Sequence, residues 1–274
     1  MNAPTSYPAP RIDEASRVTA ADVITRTRLR QDLERLGLAA GDTVCVHSAY
    51  GKIGFVVGGP RTVLDVLLET VGPQGTVMMP SFTGDLSDPA DWKYPAIPPE
   101  LIGAVRDSMP GFNPQLSPAR QMGVLAELLR HRPGAVRSPH PQSSFTAVGA
   151  RAADLCGEHP MDFRFGPQSP LGALLRHAGK VLMLGSPWNT ASVFYLADFE
   201  MPDRGECRMA SPVETAGGVS WREYRDLVYQ QRGHEAVVRL IERGMASRGL
   251  VGLADSVFFD AVTGVTETLR WCLP

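Results

Sequence analysis

A histidine held between two prolines is the clearest candidate for chemistry in this sequence. His140 follows Pro139 and precedes Pro141, within segment 137–145. Proline removes a backbone donor and restricts the residue before it, so the imidazole is presented in few orientations. An imidazole that titrates near neutral pH in such a setting suits a general base. The alternative is a loop histidine that hydrogen-bonds to the backbone, and spacing alone leaves both open.

Two carboxylates further along the chain are candidates to orient that imidazole. Segment 189–200 begins with the cap-like pair Asn189 and Thr190 and carries Asp198 and Glu200 near its end. A carboxylate that accepts an imidazole N–H fixes the tautomer and stabilises the protonated ring. The alternative is the solvated, acidic end of a helix.

A third group of residues follows the first strand that the sequence predicts. Residues 43–47 are β-branched and apolar, which favours a buried strand. Ligands of parallel α/β sheets bind beyond the carboxyl ends of the strands, where His47 and Ser48 lie. Three glycines, Gly54, Gly58 and Gly59, precede a predicted helix. Their backbone N–H groups could approach a phosphate or a pantetheine amide. This loop matches no nucleotide-binding fingerprint, so alone it does not identify a ligand.

Acidic residues in the predicted loops are the lining that a polycationic amine would need. They are Asp85, Asp88, Asp91, Asp162, Glu200 and Asp203. For any one of them, a solvated loop surface is the alternative. Acyl-enzyme chemistry by a serine near His140 ranks low, because the chain contains no G-x-S-x-G elbow.

Periodicity and turn residues predict the elements that position these groups. Helical spacing covers 19–37, with Thr19 as N-cap and Gly37 at the end, and another helix runs from Pro60 to Val71. Strands at 43–47 and 76–79 on either side of that helix form a βαβ unit, which favours a parallel pair. The other predicted elements are helices at 122–129, 150–156, 190–199 and 234–248, strands at 145–148 and 180–184, two strands within 204–223 joined at Gly217 and Gly218, and one or two strands at the end.

The predicted fold class is α/β, with a mixed sheet flanked by helices. Residues 80–120 are rich in proline and aspartate and lack a period, so we expect a binding loop there. Residues 1–17 are proline-containing and aperiodic, which predicts a flexible tail. Residues 18–274 are expected to form a single domain, with a smaller subdomain or insertion around 200–230 as an option.

Composition excludes several classes of function. The formal net charge of -2 and the pI of about 6.3 give no broad basic face, which argues against a nucleic-acid partner. No apolar run reaches the roughly 18 residues that cross a bilayer, and no leader pattern opens the chain, so we expect a cytoplasmic protein without a membrane partner. The four cysteines lack the short spacings of zinc or redox sites, which predicts reduced thiols and no metal.

Several blocks of the sequence, taken together and in order, resemble the aminoglycoside 3-N-acetyltransferase family. They are residues 46–82, 122–149, 166–171 and 180–199, and the similarity extends from about residue 27 to the C-terminus. The resemblance implies an α/β fold distinct from that of the GNAT acetyltransferases. It also implies acetyl-CoA as cosubstrate, a 2-deoxystreptamine aminoglycoside as acceptor, direct transfer without an acyl-enzyme, and a role in antibiotic resistance.

The resemblance also implies roles for individual residues. It makes His140 the catalytic base and places the orienting carboxylate of an H-x-A-E motif on Asp198, with Glu200 as an alternative. The matching residues depart from that motif, because tyrosine and aspartate stand at 195 and 198. The implied cofactor-binding residues are His47, Ser48, Gly54, Val57, Gly58, Gly59, Arg120, Gln121, Met122 and Gly123. The implied acceptor-binding residues are Asp85, Asp162 and Tyr195.

Two other functions compete with the aminoglycoside enzyme. The departure at Tyr195 and Asp198 keeps open a related acetyltransferase that acts on another small-molecule amine. A relative that binds CoA or an aminoglycoside without turnover is the second alternative. The sequence leaves monomer and homodimer equally open.

Overall fold

A mixed sheet of seven strands lies at the centre of the computed structural model, which describes residues 23–202 and 204–273. The strands of the described residues are β1 (Val23–Ile24), β2 (Thr43–Ser48), β3 (Phe55–Val56), β4 (Thr76–Pro80), β5 (Val136–Arg137), β6 (Phe145–Gly149), β7 (Lys180–Leu184), β8 (Glu206–Thr215), β9 (Gly218–Leu227), β10 (Ala246–Val251) and β11 (Ala254–Asp260). The order across the sheet is β10-β11-β7-β2-β4-β6-β5. Strand β2 pairs in parallel with β4 and β7, and the outer pairs are antiparallel. The mixed α/β prediction is confirmed.

Helices cover both faces of this sheet. They are α1 (Arg26–Leu36), α2 (Gly59–Val71), α3 (Ile102–Ser108), α4 (Val124–Arg130), α5 (Ala152–Cys156), α6 (Pro170–Arg176), α7 (Gly233–Glu242) and α8 (Ala261–Cys272). Short 3-10 segments occur at Tyr50–Lys52, Pro89–Asp91, Pro99–Leu101, Trp188–Thr190 and Ser192–Glu200.

Alternation along the strands creates two hydrophobic cores. In β7, Val181 and Met183 join the core under α5, α6, α7 and α8, whereas Leu182 and Leu184 join the core under α1, α2 and α4. Successive side chains of a strand point to opposite faces, so a strand covered on both faces has a continuous apolar sequence. This is why residues 44–46 and 181–184 form uninterrupted apolar runs and are buried.

Most of the predicted core elements are confirmed, with shifts at their ends. Helix α1 begins at Arg26 after the N-cap Thr25, whose side chain accepts from Arg28 N, and it ends at Gly37. The predicted cap Thr19 and the predicted tail 1–17 lie outside the described residues.

One predicted helix end near the C-terminus is wrong, and one helix there was not predicted. The helix predicted to reach residue 248 ends at Glu242, because Gly244 takes a φ of 67° that stops a helix and Ala246–Val251 pairs with β11. The one or two strands predicted at the end are confirmed by β10 and β11, but helix α8, which follows them, was not predicted. Asp260 caps that helix by accepting from Thr263 N at 2.8 Å.

The hairpin predicted within 204–223 is confirmed as β8 and β9, which form a separate two-stranded sheet. It runs from Glu206 to Leu227 and is joined to the segment before α4 by an isolated bridge between Phe112 and Val213. The hairpin lies over the His140 segment, because Gln142 Nε2 donates to Ser211 Oγ at 2.9 Å.

Candidate active site

Two cavities meet beyond the carboxyl ends of β2 and β4. The first has a volume of about 380 Å³, and its wall includes His47 from β2, Pro80 from β4 and Tyr195. The second has a volume of about 580 Å³ and lies beside the proline-rich segment. Both are lined by Phe82, Gly84 and Met122, so together they form one groove. We call the first the acceptor cavity and the second the donor cavity.

Several of the residues predicted to bind the cofactor do lie together at this groove. Arg120, Gln121 and Met122 line the donor cavity. Gly123 lies close to the Ser48 carbonyl, because a Cβ added at this glycine would be 3.7 Å from the carbonyl oxygen. His47 lies one residue before Ser48 and lines the acceptor cavity.

The glycines before α2 shape the beginning of that helix. Gly58 is its N-cap with a φ of 79°, and a Cβ there would lie 2.4 Å from Thr62 Oγ1, so only glycine fits. A Cβ added at Gly59 would lie 4.0 Å from the Tyr50 hydroxyl. Val57 is half-exposed, and Gly54 packs against Leu253 rather than toward either cavity.

His140, the predicted base, is fully buried with both ring nitrogens occupied. Its Nδ1 accepts from Gln142 N at 3.2 Å and from Ser143 N at 3.1 Å. Because those backbone groups can only donate, the ring proton is on Nε2, which donates to the Met161 carbonyl at 3.1 Å. Burial, followed by the charges of His159 and Arg164, holds the pKa of His140 well below its usual value.

A second histidine, His159, forms a similar clamp beside the first. The two rings lie 4.8 Å apart. Ser138 Oγ accepts from Phe145 N and donates to His159 Nδ1, while His159 Nε2 donates to the Arg164 carbonyl at 2.7 Å. Burial lowers the pKa of His159 to about 4. Both imidazoles therefore hold the loop of Met161 and Arg164 against the segment of His140.

The assignment of His140 as the general base stays a prediction, and in this arrangement the ring lines neither cavity. Tyr224 of β9 packs edge-on against the His140 ring at 5.3 Å, and the hairpin closes off this side. No lone pair of the ring remains for an incoming proton in this arrangement. The alternative interpretation of the sequence, a loop histidine bonded to the backbone, describes the geometry.

The two carboxylates expected to orient His140 have other surroundings. Asp198 is buried, and its oxygens accept from Gln230 N at 2.9 Å and from Arg232 Nε at 3.1 Å. Glu200 is exposed at the end of its 3-10 segment. Asp198 therefore positions the segment that carries Gln231 into the acceptor cavity.

Replacing Asp198 by alanine is expected to lower the free energy of unfolding by about 2 kcal/mol, because Arg232 and Gln230 N lose their partner. Glu200→Gln is the matched control and should change stability by less than about 0.5 kcal/mol, since the side chain is exposed. Chemical denaturation of both variants measures this. Equal effects of the two substitutions would contradict the assignment.

The predicted acceptor-binding residues are separated in the structure. Tyr195 lines the acceptor cavity and stacks on Phe165 with ring centroids 4.9 Å apart, and burial raises its pKa. Asp85 lines the donor cavity, 3.8 Å from Arg120. Asp162 does not reach the groove but accepts from Arg225 N at 2.9 Å on the hairpin.

No short-range pattern identifies Arg164, which lines the acceptor cavity. Its Nε lies 2.8 Å from Asp226 Oδ2, and its Nη1 donates to Gln142 Oε1 at 3.3 Å. Its guanidinium also lies over the rings of Phe165 and Tyr229, at 5.3 and 5.4 Å. Arg164 stands in an irregular segment, and its carboxylate partner follows 62 positions later, so spacing does not reveal the pair.

The part of the chain that the structure describes contains neither a helix able to span a membrane nor a cluster of metal ligands. None of its helices has the length and apolarity needed to cross a bilayer. Among residues 23–202 and 204–273, no three histidine, cysteine or carboxylate side chains gather where they could hold a metal ion. The four cysteines are free thiols.

Comparison with known proteins places this geometry in a family. The aminoglycoside 3-N-acetyltransferase family model matches residues 45–272. Aminoglycoside N(3)-acetyltransferase VIII of Streptomyces fradiae is 38% identical over 270 residues, covering 92% of this chain and 93% of the relative.

Solved structures agree with the sequence comparison. The crystal structure of YokD from Bacillus subtilis superimposes with a TM-score of 0.87 at 34% identity, covering 90% of this chain and 92% of YokD. The complex of AAC-IIIb with CoASH superimposes with a TM-score of 0.81 at 35% identity, covering 91% and 96% of the two chains. With the family model spanning most of its length, this chain belongs to the aminoglycoside 3-N-acetyltransferase family.

Proposed function

We propose that this chain transfers the acetyl group of acetyl-CoA to an amine of a small molecule. The observation that carries the proposal is the groove formed by the donor and acceptor cavities, which gives two substrates one meeting point at Phe82, Gly84 and Met122. The amine nitrogen bonds to the thioester carbonyl carbon and the C–S bond breaks. The nitrogen loses a proton, and CoA leaves as the thiol. Holding both reactants in one groove supplies much of the acceleration.

Acetyl-CoA is proposed to occupy the donor cavity and to pass the beginning of α2. Arg120 and Lys93 line this cavity and bring positive charge to the phosphates. Backbone N–H groups at the N-terminus of α2, near Gly58 and Gly59, add a second phosphate or amide contact. The CoASH complex of the related AAC-IIIb supports the same cosubstrate here.

His47 is proposed to accept the proton from the attacking amine. It lines the acceptor cavity, and its Nε2 makes a weak contact with Cys45 Sγ at 3.7 Å. Burial lowers its pKa to about 4, so the ring is unprotonated at neutral pH and can receive a proton. The nitrogen becomes more acidic as the C–N bond forms, which assists a weak base. In this proposal His140 acts by position, through the loop that it clamps.

Two classes of acceptor follow from different observations. The names of the relatives make the 3-amino group of a 2-deoxystreptamine aminoglycoside the first acceptor to test, with antibiotic resistance as its consequence. Another small-molecule amine is the second candidate. It is favoured because none of the described residues that line the acceptor cavity is an aspartate or glutamate.

The proposal is tested by thiol release from acetyl-CoA with a panel of aminoglycosides and smaller amines at neutral pH. Saturable release with any amine, and an acetylated product by mass spectrometry, is the expected result. Product NMR then identifies the acetylated nitrogen. Tight binding of acetyl-CoA with no release from any acceptor would instead identify a binding protein without turnover, and no binding at all would refute the proposal.

A further inference from the structure

Ser143 is a buried side chain that lines the acceptor cavity and has no part in the transfer steps described above. Only 3% of its surface is exposed, and its backbone N–H already donates to His140 Nδ1 at 3.1 Å. Its hydroxyl has no hydrogen-bond partner among the described residues, although buried polar groups are nearly always paired. Because the hydroxyl oxygen is not among the fully enclosed unpaired atoms of the described chain, it reaches the cavity that Ser143 lines.

Ser143 lies opposite Phe82, the residue at which the two cavities meet. The antiparallel pairing of β4 with β6 continues past the ends of these strands. The residues before and after Phe82 donate their backbone N–H groups to the carbonyls of the residues after and before Ser143, at 2.8 and 3.0 Å. Directly opposed residues of an antiparallel ladder point to the same face. Since Phe82 lines both cavities, the Ser143 hydroxyl lies beside the place where an acetyl carbonyl must meet the amine.

Hydrogen bonds on both sides of Ser143 hold this segment in place. On one side, Ser144 Oγ donates to the Ser81 carbonyl at 2.7 Å. On the other side, Gln142 Nε2 donates to Ser211 Oγ of the hairpin at 2.9 Å. A donor that is fixed before the reaction needs no reorganisation when charge develops on a substrate oxygen, which makes such donors effective in catalysis.

We propose that Ser143 is a catalytic residue whose hydroxyl donates a hydrogen bond to the acetyl carbonyl oxygen of acetyl-CoA. This inference rests on the proposed acetyl transfer and adds a residue to it. When the amine nitrogen bonds to the carbonyl carbon, the π electron pair of the C=O bond moves to oxygen. The Ser143 O–H stabilises that oxyanion and keeps its own proton. The C=O bond then re-forms, the C–S bond breaks, and the CoA sulfur takes up the proton that His47 removed from the amine.

The same geometry argues against Ser143 as a nucleophile that carries the acetyl group. A serine nucleophile needs a base within hydrogen-bond distance of its hydroxyl. His140 accepts from Ser143 N, not from Ser143 Oγ, and its other ring nitrogen donates to the Met161 carbonyl. In the part of the chain that the structure describes, no hydrogen bond joins the hydroxyl to a base. The hydroxyl is therefore suited to donate a hydrogen bond and not to attack.

Ser143→Ala is expected to lower kcat at least about tenfold, with the Kd of acetyl-CoA changed by less than about threefold, because the oxyanion exists only after attack. Its denaturation midpoint should match that of the parent, since the lost hydroxyl has no partner in the described chain. Ser256→Ala is the matched control, because it removes a buried hydroxyl that already donates to the Ala254 carbonyl at 3.0 Å. A smaller fall in kcat for Ser143→Ala, or an equal fall in the control, would overturn the inference.

An infrared measurement separates this inference from the proposed function. Acetyl-CoA labelled with carbon-13 at the acetyl carbonyl is bound to the full-length protein without an acceptor, and isotope difference spectra report its C=O stretch. A hydrogen bond from Ser143 lowers this frequency, so the frequency should rise in Ser143→Ala and stay unchanged in Ser256→Ala. That result supports the inference even if no amine of the panel is acetylated.

Two results would overturn the role of Ser143 while leaving the proposed acetyl transfer intact. One is the same carbonyl frequency in the parent and in Ser143→Ala. The other is an acetyl group on Ser143, found by mass spectrometry after incubation with acetyl-CoA alone, because it would make this serine a nucleophile. Failure of the parent protein to bind acetyl-CoA would overturn the proposed function together with the inference.

Discussion

Replacing His47 by glutamine is expected to lower kcat by roughly 10²-fold or more, with the Kd of acetyl-CoA changed by less than about fivefold. The imidazole lines the acceptor cavity at the end of β2 and is unprotonated at neutral pH because burial lowers its pKa to about 4. Glutamine keeps much of the volume but cannot take up a proton. Steady-state kinetics with a saturating acceptor, and calorimetry with acetyl-CoA, measure the two quantities separately. A change in kcat below about threefold would remove His47 from the chemistry.

His140→Ala provides the informative contrast to the His47 variant. It leaves three backbone groups without a partner and a cavity under the hairpin, so the free energy of unfolding should fall by about 3 kcal/mol. His131→Ala is the control, since 65% of that side chain is exposed. If His140 were the base, its removal would lower kcat by roughly 10²-fold or more even in variant protein that circular dichroism shows to be folded.

Acidification is expected to destabilise the fold strongly, by about 3 kcal/mol for each of His47 and His159 on going from neutral pH to about pH 4. In the folded chain the pKa of each imidazole is lowered to about 4 by burial. In the unfolded chain each titrates near its usual value of about 6.5. Between these values the unfolded state binds protons that the folded state does not, so stability falls as the pH falls. Denaturant titrations from about pH 7 to about pH 4.5 measure the slope.

Substitution at His159 identifies the source of that slope. His159→Gln should be less stable than the parent at neutral pH, because the bonds to Ser138 and the Arg164 carbonyl are disturbed. The difference in the free energy of unfolding between the variant and the parent should narrow as the pH falls. The parent loses stability because buried His159 resists protonation, and the variant lacks this imidazole. His131 is exposed, so the His131→Gln variant should keep the full dependence of the free energy of unfolding on pH. A parent protein whose stability is constant over this pH range would show that its imidazoles are not the buried neutral groups described above.

The parallel centre of the fold was predictable because its signals are local. The apolar run at 180–184 coincides with β7, and the βαβ unit around α2 has strong turn residues on both sides of the helix. Helix α8 was missed because its valines and threonines are β-branched and favour strands. Its N-cap at Asp260 outweighs that preference once the helix packs on the core.

The site was harder to predict because its geometry depends on distant segments. The prolines around His140 restrict its backbone, as predicted. The ring is buried by residues of the hairpin, and no residue near position 140 indicates that the hairpin packs there. The Arg164–Asp226 pair likewise joins segments that no short-range pattern connects. By contrast, His47 does line the groove, because the end of a parallel strand is a position that the sequence can identify.

The hairpin of β8 and β9 has a consequence for how this protein can diversify. It forms no strand pairs with the seven-stranded sheet in the described part of the chain, yet it supplies Asp226, which lies 2.8 Å from Arg164 Nε, and Ser211, which accepts from Gln142 Nε2. Exchange of this one segment is therefore expected to change the surroundings of two residues that line the acceptor cavity, while leaving the central strands and the donor cavity intact. A chimera that exchanges residues 206–227 as one continuous segment would test whether the hairpin influences acceptor selectivity, without scattered point substitutions.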